Sequence, residues 1–179
     1  MKQNNFICVD VDTTGISDDS MVWRIAVKPY GGNTEIFEWY EDVEPSTLNY
    51  LGIDAEFLSS LIERQEILKY IESYLKDILF SPSESKPILV CYDTFNYNLF
   101  TQFLAQNFQD TFKYSFRPYP IILTSLITFV LANINVKSFK LDNILPMFGL
   151  DRPYPLCEYD VENVDNMLDI FLNDLVLTT

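Results

Sequence analysis

The sequence predicts an α/β fold, a mixed β-sheet flanked by α-helices. Three observations predict it. The chain opens with a short β-branched apolar run and a hairpin pattern. Helical and strand patterns then alternate along it. Apolar residues make up 48% of its 179 residues, enough for a large core. That length fits one domain, 1–179, and no internal repeat or low-complexity tract divides it.

Residues 6–11 read as a buried strand, ended by the turn signal Thr13-Thr14-Gly15. Residues 22–28 and 34–40 flank Gly31-Gly32-Asn33 and read as a β-hairpin. Asp54 is placed to cap a short helix that buries Phe57, Leu58 and Leu61. Residues 64–79 repeat apolar side chains at Ile67, Leu68, Ile71, Leu75 and Ile78, a helical spacing. A polar loop at 81–87 leads to a second buried strand at 88–91 and a helix at 99–108. Residues 118–123 form a short strand before a helix through Ile127, Val130 and Leu131. Ser138 caps a helix through Leu141, Ile144 and Leu145 that stops at Gly149. The last helix, 160–175, carries the stripe Val161, Val164, Leu168, Leu172 and Leu175.

Composition excludes several chemistries. Histidine is absent, which removes Ser-His-Asp and Cys-His engines, His-ligated zinc and any imidazole base. Twelve Lys and Arg against 26 Asp and Glu leave a net charge of -14. Field-driven binding to nucleic acid or anionic membranes is therefore disfavoured, although a local basic groove is compatible with screening over about 8 Å. Cys8, Cys91 and Cys157 form no CxxC pair, and their odd number fits reduced, buried thiols. The N-terminus lacks a signal-peptide apolar region. The most apolar stretch, 121–134, is shorter than the ~20 residues of a membrane span. A cytoplasmic protein with no membrane partner is expected.

The stretch 6–15 carries the strongest signal. Residues two apart on a strand share a face, so Asp10 and Asp12 project together from an apolar segment. Adjacent carboxylates raise each other's pKa unless a cation lies between them, and hard divalent ions take such oxygen ligands. A turn opening at Asp12 would separate them. Asp165 stands four residues after Val161 and three before Leu168, on the shoulder of the last helix's stripe, where a carboxylate needs a partner or a metal. Asp169 lies further round and reads as surface.

Asp10-Val-Asp-Thr-Thr-Gly15 resembles the first motif, Asp-x-Glu-Thr-Thr-Gly, of the DEDD superfamily of proofreading-type 3′–5′ exonucleases. That superfamily includes the epsilon-type proofreading subunits and trimming ribonucleases. Val43-Glu44-Pro45, Leu51-Gly52-Ile53 and Phe57-Leu58 resemble the segment that follows its hairpin; 88–100 resembles its second motif and 140–150 the approach to its third. The resemblance implies a ribonuclease H-like sheet and a metal-dependent 3′–5′ exonuclease acting on a single-stranded DNA or RNA end. In the family, four carboxylates hold two Mg²⁺ or Mn²⁺ ions roughly 4 Å apart, and a His or Tyr positions the attacking water. Carried over, Asp10, Asp12 and Asp165 would bind metal and converge on one cleft, with Asp93 or Asn96 completing the shell. Thr13, Thr14 and Gly15 would abut the terminal nucleotide, with Asn96 beside it. Asp160 or a nearby tyrosine, Tyr154 or Tyr159, would orient water. Lys137, Lys140 and Arg152 are candidate phosphate contacts.

This sequence also departs from the pattern. Asp12 replaces the first motif's glutamate, and Asn96 falls at the second motif's aspartate, where it also reads as a helix cap. Counting back from Asp165, Asp160 takes the histidine's place and Val161 the tyrosine's. Two functions follow: an exonuclease, or a catalytically decayed module that binds a nucleic-acid end or, through its acidic surface, a protein partner.

Overall fold

The computed structural model describes residues 5–17, 19–80, 86–109, 111–112, 115–131, 136 and 138–176, with side chains to residue 173. Residues 81–85 of the expected polar loop, 132–134 of the apolar stretch, Lys137 and the Leu175 side chain lie outside the described residues.

Strand β1, Phe6–Thr13, sits between β2, Val22–Pro29, and β4, Ile88–Cys91. The five-stranded sheet is completed by β3, Glu35–Glu38, beside β2 and by β5, Ile121–Ile122, beside β4. The pairs β1/β2 and β2/β3 are antiparallel, whereas β1/β4 and β4/β5 are parallel. The mixed sheet expected from the pattern is therefore present. β1 runs two residues past Val11 because Asp12 stays paired opposite Arg24; the register breaks only between Asp12 and Thr13.

The two faces of β1 enter different cores. Ile7, Val9 and Val11 pack with α3, Arg64–Leu79, and α4, Thr94–Phe108. Phe6 and Cys8 pack with α5, Leu123–Val130, α6, Leu141–Ile144, and α7, Cys157–Val176. Alternation then sends Asp10 and Asp12 to the α7 side. A slip of one residue would drive both carboxylates into the aliphatic core, so the burial pattern fixes the register.

Between β3 and α3 lie α1, Pro45–Leu51, and α2, Ala55–Ser59. Asp54 caps α2 as expected, accepting from the Phe57 N–H at 2.6 Å. Only Leu58 of that helix is buried; Phe57 is exposed, contrary to expectation. α4 starts five residues before Leu99 because Asp93 caps it, accepting from the Asn96 N–H at 2.9 Å. Its first turn faces solvent, with Phe95 exposed, so no apolar period marks it. β5 is shorter than 118–123 because Pro118 and Pro120 have no N–H for a ladder. After α6 a 3-10 turn, Leu145–Phe148, ends at Gly149 with φ 69°. Ser138 does not cap α6 from the N-cap position, which Lys140 holds; its hydroxyl accepts from the Lys140 N–H at 3.2 Å. α7 begins at Cys157, three residues before the expected start at Asp160.

Candidate functional site

Two contacts set how α7 lies on β1. The Cys157 N–H donates to Asp12 Oδ2 at 3.1 Å, and Cys8 Sγ donates to Asp165 Oδ1 at 3.8 Å. The helix therefore runs antiparallel to the strand. Eight helical residues rise about 12 Å and four strand residues about 13 Å, so the two elements stay in step. Asp160 falls between these contacts, beside Asp10. Asp165, five residues on, is about 7.5 Å further along the helix axis.

That spacing divides the expected site. Asp10, Asp12, Asp93, Asn96 and Asp160 line one cleft of about 850 Å³, together with Thr13 and Gly15. Asp165 lies on the same side of the sheet but does not line that cleft. It is buried against Cys8, with Lys28 Nζ 3.6 Å from Oδ2. Thr14 is also outside: its hydroxyl accepts from the Met21 N–H at 3.0 Å, and its carbonyl accepts from the Glu44 N–H at 2.8 Å. A Cβ at Gly15 would stand 2.4 Å from Glu44 Oε1, the end of an exposed flexible side chain that would have to move aside. Asp169 is exposed and accepts from the Tyr30 hydroxyl at 2.5 Å. Neither Tyr154 nor Tyr159 lines the cleft; their rings pack together at 6.1 Å.

Each cleft carboxylate has a donor from the chain itself. Asn96 Nδ2 donates to Asp10 Oδ1 at 2.5 Å. Asp93 accepts from the Asn96 backbone, and Asp12 from the Cys157 backbone. Arg152 grips both oxygens of Asp160, through Nε at 2.5 Å and through Nη2, and its Nη1 reaches Asp142 Oδ1 at 2.8 Å. Asp160 is thus an ion-paired acid rather than a free base. The sequence offered Arg152 only as a phosphate contact; its pairing with Asp160 was missed. Lys140 lines the cleft and is exposed.

Burial dominates the electrostatics. It raises Asp10 well above the carboxylate range, and like charge from Asp160, Asp12 and Asp93 adds to it, with Arg152 opposing. Burial pushes Asp12 up to about 6 against the Cys157 N–H and Arg24, and Asp160 up to about 7 against Arg152. Arg24, opposite Asp12, is itself held by Glu158 at 2.6 Å and Glu38 at 3.1 Å.

No family model matches the sequence, and no curated protein matches it by sequence. Solved structures do match the fold. A 3′-exonuclease in 3′-end-specific recognition of the histone mRNA stem-loop aligns at TM-score 0.69 and 13% identity, over 96% of this chain and 82% of its own. The nuclease domain of 3′hExo, a DEDDh family member bound to rAMP, aligns at 0.66 and 13%, over 96% and 92%. The fold is that of the DEDDh 3′-exonuclease domains. Cell-death related nuclease 4 shares it, at 0.66 and 14% identity over 96% of this chain and 64% of its own.

Within the exonuclease fold the carboxylates invite a test for divalent ions. Among the described residues no three acidic or thiol side chains are gathered so as to hold a metal ion. Asn96 and Arg152 hold Asp10 and Asp160, which places a guanidinium among the acids. As arranged, these residues do not fit a two-ion centre.

Proposed function

We propose that this chain, taken as one exonuclease-like domain over 1–179, receives the end of a single-stranded nucleic acid in its carboxylate cleft and holds it without hydrolysing it. The observation that carries this reading is the bidentate pairing of Arg152 with Asp160, which satisfies a carboxylate that catalysis would need open. If Asp160 takes the third motif's aspartate position, the base positions five and four residues earlier hold Pro155 and Leu156. Neither side chain accepts a proton. General acid–base help, about 10²–10⁴-fold, is then missing.

Binding has its own support. The cleft has the size of a nucleotide-scale pocket. Tyr50, Phe95 and Phe139 are exposed on its walls, and stacking on such rings contributes about 1–3 kcal/mol per base. Arg152 and Lys140 supply cations for phosphate. With a net charge of -14, attraction must come from these local contacts rather than from the overall field.

A metal-dependent 3′–5′ exonuclease using Mg²⁺ or Mn²⁺ is the second reading. One observation favours it: Asp10, Asp12, Asp93 and Asp160 face the same cleft. Labelled single-stranded DNA and RNA oligonucleotides separate the two. Fluorescence polarisation should show binding in EDTA, weakened roughly 5- to 100-fold by Phe95→Ala. It should be unchanged by Asp165→Asn, which lies outside the cleft. Gels should show intact oligonucleotide after prolonged incubation with Mn²⁺. Stepwise shortening from the 3′ end, lost in Asp10→Ala, would establish the enzyme instead. Absence of binding to either nucleic acid would refute the nucleic-acid ligand.

A further inference from the structure

We infer that the guanidinium of Arg152 takes the place of a divalent cation in this cleft and presents the phosphate-binding charge directly. The geometry is that of a built-in cation. Arg152 is largely buried, its side chain 12% exposed, and it meets Asp160, whose side chain is 9% exposed, through two N–H groups. A third N–H goes to Asp142. A guanidinium carries five N–H donors, so two remain beyond the three bonds seen among the described residues. Those two suit the oxygens of a phosphate mono- or diester, which guanidinium groups recognise bidentately.

Charge bookkeeping agrees. Asp10, Asp12, Glu44, Asp93, Asp142 and Asp160 place six carboxyl groups around one cleft. Asn96 gives Asp10 a neutral donor. Arg152 pairs with Asp160, the acid whose charge raises Asp10 most, and its own charge lowers Asp10. Because Arg152 already bonds both oxygens of Asp160, a metal ion could ligate that carboxylate only by displacing the guanidinium. Arg152 and a metal ion are therefore alternatives at this site.

The inference rests on the cleft being the ligand site proposed above, but its test needs no nucleic acid. Thermal unfolding is followed in Mn²⁺ titrations at pH 8, with Mg²⁺ as a second probe. The native chain should show no Mn²⁺-dependent rise in Tm. Arg152→Gln should gain one, on the order of 5–10 °C at 100 times the dissociation constant, and adding Asp10→Ala should abolish it. If Arg152→Gln is unfolded alone, millimolar Mn²⁺ should restore its folded circular dichroism spectrum. A native chain that binds Mn²⁺ through Asp10, or an Arg152→Gln chain that Mn²⁺ neither stabilises nor refolds, overturns the inference. Oligonucleotide binding that fails while this metal pattern appears would remove the proposed ligand and leave the cation exchange intact.

Discussion

Replacing Arg152 with methionine is expected to lower stability more at pH 8 than at pH 5, by up to about 1.4 kcal/mol, because pH 8 lies one unit above the folded Asp160 pKa of about 7. Methionine keeps much of the side-chain length and apolar stem but removes every donor to Asp160. At pH 8 that leaves the carboxyl of a 7% exposed residue without its partner, either ionised and unpaired or forced to hold a proton. Burial pushes Asp160 up to about 7 even though Arg152 pulls it down, so without Arg152 it must rise further. At pH 5 the carboxyl is protonated in the folded state of either protein, and a neutral carboxyl has little to lose with the guanidinium. Urea unfolding at the two pH values measures this. Equal losses at pH 5 and pH 8 would mean that the pairing with Asp160 is not what Arg152 contributes.

The native chain should itself be more stable at pH 5 than at pH 8, by roughly 4 kcal/mol from Asp12 and Asp160 together. Their folded pKa values, about 6 and about 7, lie above the unfolded value near 3.9. A group raised on folding contributes stability that is fully present below its unfolded pKa and lost as pH climbs through its folded one. The window is therefore about pH 4 to 7, and stability falls as pH rises across it. Asp10 shifts in the same direction. Glu162 opposes: burial raises it, but Lys28 and Thr34 bring it below the usual value, so its effect falls at and below its unfolded pKa. Self-repulsion at a net charge of -14 also relaxes on acidification. Melts from pH 5 to 8 in EDTA test this, and a maximum at pH 7 to 8 would contradict a buried, like-charged cluster.

Local pattern was enough for much of the architecture. The β1 alternation placed Asp10 and Asp12 on one face, the Gly31-Gly32 hairpin joined β2 to β3, and Asp54 capped α2, because each depends on near neighbours in sequence. The site was less legible. The stripe of α7 correctly marked Asp165 as a carboxylate near the core, and its residue is 9% exposed. What no window shows is that its partners are Lys28 and Cys8, more than a hundred residues away on two strands. Counting from Asp165 then assigned Asp160 the role of base. Asp160 is also buried, but it sits at the start of the apolar stripe, where helix periodicity had least to say. The available signal was Arg152, eight residues before Asp160 in a chain poor in cations. Its pairing depends on how the segment between Gly149 and Cys157 folds back over the cleft.

On this reading the cleft meets a phosphate with a guanidinium instead of metal ions. A crystal of the native chain soaked with Mn²⁺ and a nucleoside 5′-monophosphate, measured with anomalous scattering, tests it most directly. The nucleotide should lie in the cleft with its phosphate on Arg152, Arg152 should still hold Asp160, and no manganese peak should separate Asp10 from Asp160. Two manganese peaks roughly 4 Å apart between those carboxylates, with Arg152 displaced from Asp160, would contradict it.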